Sequence, residues 1–400
     1  MRLLEYQAKE ILGGFDFAVP LGAVLRAPRD LEGIVRQFGP RVVVKAQVRQ
    51  GGRGKAGGVV LADDLADARS AVGRLLGRPL LGETVGSLLV EERLDIAGEL
   101  YLGVTTDRER GCPMVIVGSA GGVEVERIAA ERPETLARAA VDVAYGLGDF
   151  QARYLVREAG LPEEVAAGVV QAIKDLYRLY RRCDATFVEI NPLVVTTDGE
   201  LVAADARLDV DDAALFRQPR CADLRELTPL EAKVEKGGFH YVEMEGDVGI
   251  ISTGSGACMA VMDLLGAAGA RPANFMELGQ SMGTGGAEVA AEVLLDRSDI
   301  RAILVAGYSG GPLDRLVGGV LGVLEQRPDR RLPVVISVQG RNDDQAMAAA
   351  AAADDERVRA VRGIPEAVRA VAALAGSESS HPLSPPPNLG EGIGGGSRIP

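Results

Sequence analysis

The chain has no tryptophan, and aromatic residues make up only 4% of its 400 residues. Its core must therefore be built from Ala, Val, Leu and Ile, the usual filling of α/β layers. Cysteine is sparse: Cys112, Cys183, Cys221 and Cys258 are widely scattered. With no CxxC pair and no nearby histidine to complete a zinc site, they read as reduced, small buried hydrophobes. Histidine is limited to His240 and His381. Basic charge is in deficit, with 44 Lys plus Arg against 57 Asp plus Glu and a formal net charge of -13. Such a surface repels polyanions, so no nucleic-acid partner is expected. No apolar run approaches the roughly 20 residues needed to span a bilayer. MRLLEYQAKEIL carries Glu5 and Glu10 inside an amphipathic helical pattern, where a signal peptide would be uninterruptedly apolar. No membrane partner is expected, and the cytoplasm is the expected compartment.

What is present is a long chain, 47% hydrophobic, with room for two or three domains. Strand-like runs at 42–45, 58–61 and 88–91 alternate with helical segments such as 65–76, which predicts a small α/β lobe over about 20–95. Further strands at 100–104, 114–118, 186–189 and 201–204, around a helix at 163–180, predict a second lobe to about 227. From Gly246 the pattern changes, and strand, Gly-rich turn and helix recur five times. Strands are predicted at 247–252, 273–278, 301–306, 333–338 and 357–361, with helices starting near 257, 286, 312, 343 and 365. That order predicts a doubly wound parallel sheet, with the turns TGSG, GQSMGTGG, GYSGGP and QGRN on one edge. Residues 376–400 are rich in Pro, Gly and Ser and read as a disordered tail.

The segment VVVKAQVRQGGRGKAGGVVLA sets Lys45, Arg49, Arg53 and Lys55 in a Gly-rich turn between two strands, a local reversal of charge in an acidic chain. Glycines at 51, 52, 54, 57 and 58 let the backbone approach an anion, and the cations neutralise phosphate oxygens. A nucleoside triphosphate fits. It is not a Walker A loop, because Ala56 follows Gly54-Lys55 where Ser or Thr is required. The bland alternative is a solvated Gly-rich hairpin. Lys45 is expected to face solvent, so that its removal would spare the fold.

TFVEINPLVVTTDGELVAADARL reads as two antiparallel strands joined at Thr197-Asp198-Gly199. Glu189, Asn191 and Asp205 are polar residues embedded in these apolar strands, and a buried carboxylate calls for a cationic partner. Hard oxygen ligands suit magnesium, which fills its octahedron with water and phosphate. Equally open is a structural reading, in which Asp205 caps a turn and Glu189 pairs with an arginine such as Arg207.

LLEYQAKEIL, VVKAQVRQGGRGKAGGV, LVEERLDIAGELYLG, GGVEVE, EINPLVVTTDGELVAADARL and ALFRQP follow one another as in the β subunits of ADP-forming succinyl-CoA synthetases, which the chain resembles to about residue 375. The resemblance implies an ATP-grasp fold over 1–227 and a flavodoxin-like CoA-ligase domain over 238–375. It implies that Lys45, Gly52, Arg53, Gly54, Glu91, Leu94 and Glu99 bind ATP. Asn191 and Asp205 would hold Mg2+, and Glu189 would stand beside the site where the phosphoryl group is handed over. It also implies an α subunit carrying a phosphorylated histidine and the CoA site, with succinate as the small dicarboxylate substrate. Neither His240, expected in an interdomain stretch, nor His381 in the tail is placed as the relay group.

The C-terminal domain departs from the family where the acid and phosphate are expected, at Thr253, Gly311, Pro312 and Leu313. Thr253 replaces the usual Asn, Gly279-Gln280-Ser281 replaces a triple glycine, and Ser309 to Asp314 replaces FGGIV followed by a cation. Pro312 is expected as the first helical residue, and Asp314 in that first turn would compete with a bound phosphate. Malate or citrate as the acid, or a nucleotide-binding regulatory paralogue, are the alternatives that keep the fold. A dinucleotide-binding reading of TGSGAC lacks its third glycine, Met259 standing in its place.

Overall fold

The computed structural model describes residues 1–122, 135–225, 227, 229–283 and 285–376. They fall into two compact units, divided between Arg225 and Leu227. The tail at 377–400, the end of GGVEVE and Thr284 of the GQSMGTGG turn lie outside the described residues.

The first unit contains two principal sheets. The smaller has strands in the order Gly22–Leu25, Leu88–Glu92, Val42–Ala46, Val59–Ala62, all antiparallel. Side chains alternate along a strand. Val42, Val44, Ala46, Leu88 and Val90 face one way and bury against helices Leu31–Phe38 and Leu65–Leu75. Val43, Lys45 and Glu91 therefore face the other way, onto a cleft. The second helix is started by Asp64, whose carboxylate accepts the Asp67 amide at 2.8 Å.

The larger sheet runs Leu201–Ala203, Ala185–Thr196, Ile96–Asp107, Cys112–Gly118, Leu136–Ala140, with Ala206–Val210 also paired to the second of these. Helices Asp149–Glu158 and Glu163–Arg182 cover it, and Leu102, Val115, Ile173, Leu176 and Ile190 lie at the centre of that core. The N-terminal helix Glu5–Gly13 joins the same core through Ala8, Ile11 and Leu12. Its charged positions Glu5 and Lys9 are buried as well, facing the smaller sheet.

The second unit holds a parallel sheet in the order Val248–Ile251, Ala302–Ser309, Val334–Gly340, Val358–Ala360. Both faces are apolar and helix-covered: Ile303, Val305 and Ile336 pack on one side, and Ile250, Leu304 and Val335 on the other. The strand predicted at 273–278 is not a regular member of this sheet. Asn274–Glu277 pairs antiparallel with His240–Glu243, and it meets the first parallel strand in the predicted parallel sense but without a continuous ladder, through bridges at Pro272 and Glu277. The Asn274 carboxamide takes over the ladder there, accepting the Ile250 amide at 2.9 Å and donating to the Ile250 carbonyl at 2.8 Å. His240 is accordingly an exposed residue of an edge strand and not part of a linker. The cysteines are free, three of them buried and Cys112 half-buried. Among the described residues no helix is long and apolar enough to cross a membrane.

Candidate functional site

The first unit encloses a cleft of about 1150 Å³. Nine Lys and Arg line it against six Asp and Glu, an excess of three positive charges in a chain whose net charge is -13. The turn between Val42–Ala46 and Val59–Ala62 forms part of its wall. Gly52 adopts φ 86°, a left-handed conformation that favours glycine. The amides of Arg49 and Gln50 already hold an anion, the Glu83 carboxylate, at 3.1 and 3.2 Å.

At the bottom of the cleft, charges from one helix, two strands and two connecting segments close into one network. Lys45 Nζ donates to Glu5 Oε1 at 2.8 Å and to the Ala204 carbonyl at 2.5 Å, and pairs with Glu91 Oε2 at 2.7 Å. Arg53 pairs with Glu5 Oε2 at 2.8 Å and forks onto Asp205 at 2.8 and 3.0 Å. Lys9 Nζ donates to Glu91 Oε1 at 2.5 Å and to the Ala204 carbonyl at 2.7 Å. Burial alone would lower the Lys45 ammonium, but the carboxylates of Glu5, Glu91 and Asp205 outweigh it and hold its pKa far above the usual lysine range. Burial likewise opposes ionisation of Glu5, and Lys45, Lys9 and Arg53 together hold it well below the usual carboxylate range. Lys45 does not face solvent as expected: it is 7% exposed. The larger lobe covers the strand face that alternation turns away from the small core.

Asn191 and Asp205 are brought together by a main-chain bond, Asn191 amide to Asp205 carbonyl at 3.1 Å. Asp205 lies in the break between strands Leu201–Ala203 and Ala206–Val210, and not within a strand as the hairpin pattern predicts. Its carboxylate neither caps a turn nor stands alone, because Arg53 holds it. The Asn191 Oδ1 accepts the Gly122 amide at 2.6 Å. An amide oxygen and a carboxylate on paired main-chain positions are the hard donors that suit a magnesium ion completed by phosphate and water. Among the described residues no group of three or more His, Cys, Asp and Glu gathers into a cage that would hold a metal unaided.

Glu189 is half-buried on the cleft wall, beside Asn191, whose amide points at it from 3.5 Å. Burial raises its carboxyl pKa against the opposing pull of Arg207 and a hydrogen bond from the Tyr101 hydroxyl. Arg207 itself binds Asp209 at 2.6 Å and lies 4.5 Å over the Phe187 ring, so it acts on Glu189 through its field. Gly103 makes room for the Tyr101 hydroxyl, which would lie 2.9 Å from a Cβ there.

The other expected positions scatter. Gly52, Gly54, Glu91 and Leu94 line the cleft, Leu94 in the irregular stretch between strands Leu88–Glu92 and Ile96–Asp107. Glu99 is exposed and off the cleft wall, its carboxylate filling the space beside Gly122. In the second unit Thr253 is buried at the end of the first parallel strand, its hydroxyl without a hydrogen-bond partner. Gly307 faces it so closely that a Cβ would sit 2.1 Å from Oγ1. The helix starts at Leu313, and Pro312 with ψ 87° is its cap and not its first turn, a one-residue correction. Leu313 is fully buried in the core, which leaves only its main chain available. The Gly311 amide is taken by Ser309 Oγ at 2.9 Å. Asp314 accepts Asn342 Nδ2 at 2.8 Å and places a carboxylate in the first turn of the helix.

Sequence reasoning missed Glu5, Lys9 and Tyr101. A signal existed for the first two: Glu5 and Lys9 are spaced i,i+4 beside Ala8, Ile11 and Leu12, so an ion pair borders the buried stripe.

Comparison with known proteins bears on the fold and the family. Residues 2–195 match the ATP-grasp domain family and residues 251–374 the CoA-ligase family. The solved ATP citrate lyase of Methanothrix soehngenii, in complex with citrate and coenzyme A, shares the fold, with TM-score 0.72, 21% identity and coverage of 94% of this chain and 99% of that one. The architecture is thus an ATP-grasp domain followed by a CoA-ligase domain, the class of nucleotide-using acid–CoA ligases. The GDP-forming succinate–CoA ligase subunit β of Thermus thermophilus is 42% identical over 355 residues, spanning 86% of this chain and 92% of its own length. The ADP-forming subunit β of Halobacterium salinarum is 40% identical over 348 residues, with 86% and 91% covered. The chain belongs to the succinate–CoA ligase β-subunit family, and the dinucleotide reading of TGSGAC is set aside.

Proposed function

We propose that the chain takes Mg·ATP in this cleft and passes the γ-phosphoryl group to a histidine of a separate α subunit. The phosphoryl group then goes to succinate as an acyl phosphate, and CoA displaces phosphate to give the thioester. The carrying observation is the charge reversal of the cleft, with Lys45 and Arg53 at its floor and Asn191 and Asp205, joined by a main-chain bond, on its wall. Lys45, Arg53 and the Gly52 and Gly54 amides bind phosphate oxygens, Leu94 offers main-chain groups, and Glu91 and Glu99 complete nucleotide binding, Glu99 from outside the cleft wall. Asn191 and Asp205 hold the metal, which when bound neutralises charge on the phosphate oxygens. Glu189, held by Tyr101 and Asn191, accepts the N–H of the incoming imidazole and so presents its other nitrogen to phosphorus. Thr253 and the Gly311, Pro312 and Leu313 backbone receive the acid. The four free cysteines suit a reducing, cytoplasmic compartment.

Asp314 stands in the first turn of the helix whose N-terminus would meet an acid or phosphate, so the identity of the acid, with malate and citrate as the alternatives, is tested directly. The chain, purified with its α-type partner, is assayed for ADP and GDP release with succinate, malate and citrate in the presence of CoA. Release with succinate is expected. Release only with another acid moves the substrate, and nucleotide binding without release for any acid leaves a regulatory paralogue.

A further inference from the structure

We propose that Lys9 is a positioning residue for nucleotide binding: a buried counter-charge that keeps Glu5 and Glu91 neutralised once phosphate draws Lys45 and Arg53 away from them. The inference rests on the nucleotide reading of the cleft. Lys45 and Arg53 line the cleft, yet the N–H groups they would offer to phosphate are occupied by Glu5, Ala204, Ala46 and Asp205. A triphosphate must therefore replace these internal oxygens. Asp205 passes to the metal, but Glu5 and Glu91 have no such successor.

Both are buried, 3% and 2% exposed, and a buried carboxylate left without a partner is strongly unfavourable. Lys9 answers this. It is 4% exposed, lies 3.0 Å from Glu5 and 2.5 Å from Glu91, and does not line the cleft, so phosphate does not compete for it. The Glu91 carboxylate is held by Lys9 at Oε1 and by Lys45 at Oε2, so Lys9 is the ammonium left to it when Lys45 turns to phosphate. Lys9 and Lys45 also share the Ala204 carbonyl, next to Asp205, so Lys9 keeps that chain segment anchored when Lys45 leaves it. Lys9 thus matters more with nucleotide bound than without.

The test is made on the full chain with Mg·ADP, by calorimetric Kd and by melting temperature with and without saturating nucleotide. Lys9→Met is expected to weaken binding at least tenfold and to shrink the nucleotide-induced rise in Tm by more than half, while Lys9→Arg keeps both within threefold. A purely structural lysine would lower Tm equally in both states and leave Kd within twofold, and that result overturns the proposal. If Lys9→Met does not fold, the charge-balanced pair Lys9→Met with Glu5→Gln is compared with Glu5→Gln alone. At least fivefold weaker binding is expected from the orphaned Glu91, and equal binding overturns the proposal. Failure of the nucleotide reading itself looks different: wild type then shows no nucleotide-induced rise in Tm.

Discussion

The two units meet the same problem, polar groups buried where a ligand is expected, in opposite ways. In the first, the three cations at the cleft floor, Lys9, Lys45 and Arg53, are matched by Glu5, Glu91 and Asp205. In the second, Ser252, Thr253 and Ser337 are buried with hydroxyls that have no partner among the described residues. The difference follows from magnitude. An ion taken from water without a counter-ion costs several kcal/mol, whereas an unpaired hydroxyl costs about 1–3. A charged site must carry internal stand-ins for its ligand, and a hydroxyl site is tolerated without them. Ligand binding in the first unit is thus an exchange of partners, and single charge changes there should disturb stability and binding together.

The largest effect should follow from removing Lys45. Lys45→Ala takes from Glu5 and Glu91 a partner each, so it should cost the first unit about 3–5 kcal/mol as well as abolish Mg·ATP binding. A variant that binds no nucleotide but melts like wild type would show that the network is not what holds this floor together. Asp205→Asn should do less to stability, because the side chain is 32% exposed and Arg53 keeps Glu5. Its signature is in metal dependence. Mg-dependent turnover should be lost while metal-free ADP binds at least as well as to wild type, since Arg53 no longer holds a full anionic competitor. Titrating ADP with and without magnesium reads both, and undiminished magnesium dependence would move the metal elsewhere.

The same network gives an acid limb that the second unit's hydroxyls cannot. Glu5 is held below its ordinary value, so its contribution to stability is fully present above about pH 4.3 and is lost as pH falls through its folded value. Hydrogen exchange between pH 5 and pH 3 should show the Glu5–Gly13 helix and strand Val42–Ala46 losing protection as acid is added. Glu5→Gln should flatten that fall; an unchanged slope would assign the acid sensitivity to other carboxylates.

How much of this was legible varies by residue. Lys45 and Arg53 could be read as one anion site because cations and glycines cluster after an apolar strand in an acidic chain, Glu91 joined them only through the family resemblance, and the parallel sheet could be read from the recurring order of strand, Gly-rich turn and helix. The partners could not. Alternation turns Lys45 away from Val42 and Val44, but a single strand does not say whether the other side meets water or a second lobe. Glu5 and Lys9 sit some 40 to 80 residues from Lys45 and Glu91, and only tertiary packing brings an N-terminal helix under the cleft. The 273–278 strand misled for a local reason: its pattern is that of a strand, but the Asn274 side chain takes the backbone's place in the ladder.

The mildest change should be Thr253→Val, and it sharpens the contrast most directly. Its hydroxyl is buried, unbonded, and pressed against Gly307, so an isosteric methyl removes an unpaired polar group without leaving a cavity. Removing a hydrogen-bonding group that is already unpaired is neutral or favourable. Stability should therefore be unchanged or rise by less than about 1 kcal/mol. If the hydroxyl waits for the acid, KM for the acid should rise several-fold with the α subunit present, while the Kd for Mg·ADP stays at the wild-type value. A loss of stability would mean that Thr253 has a partner in the folded chain, and an unchanged KM would remove it from the acid site. Either result would leave the first unit, where each buried charge has its counter-charge, as the part of the molecule whose structure alone speaks for a ligand.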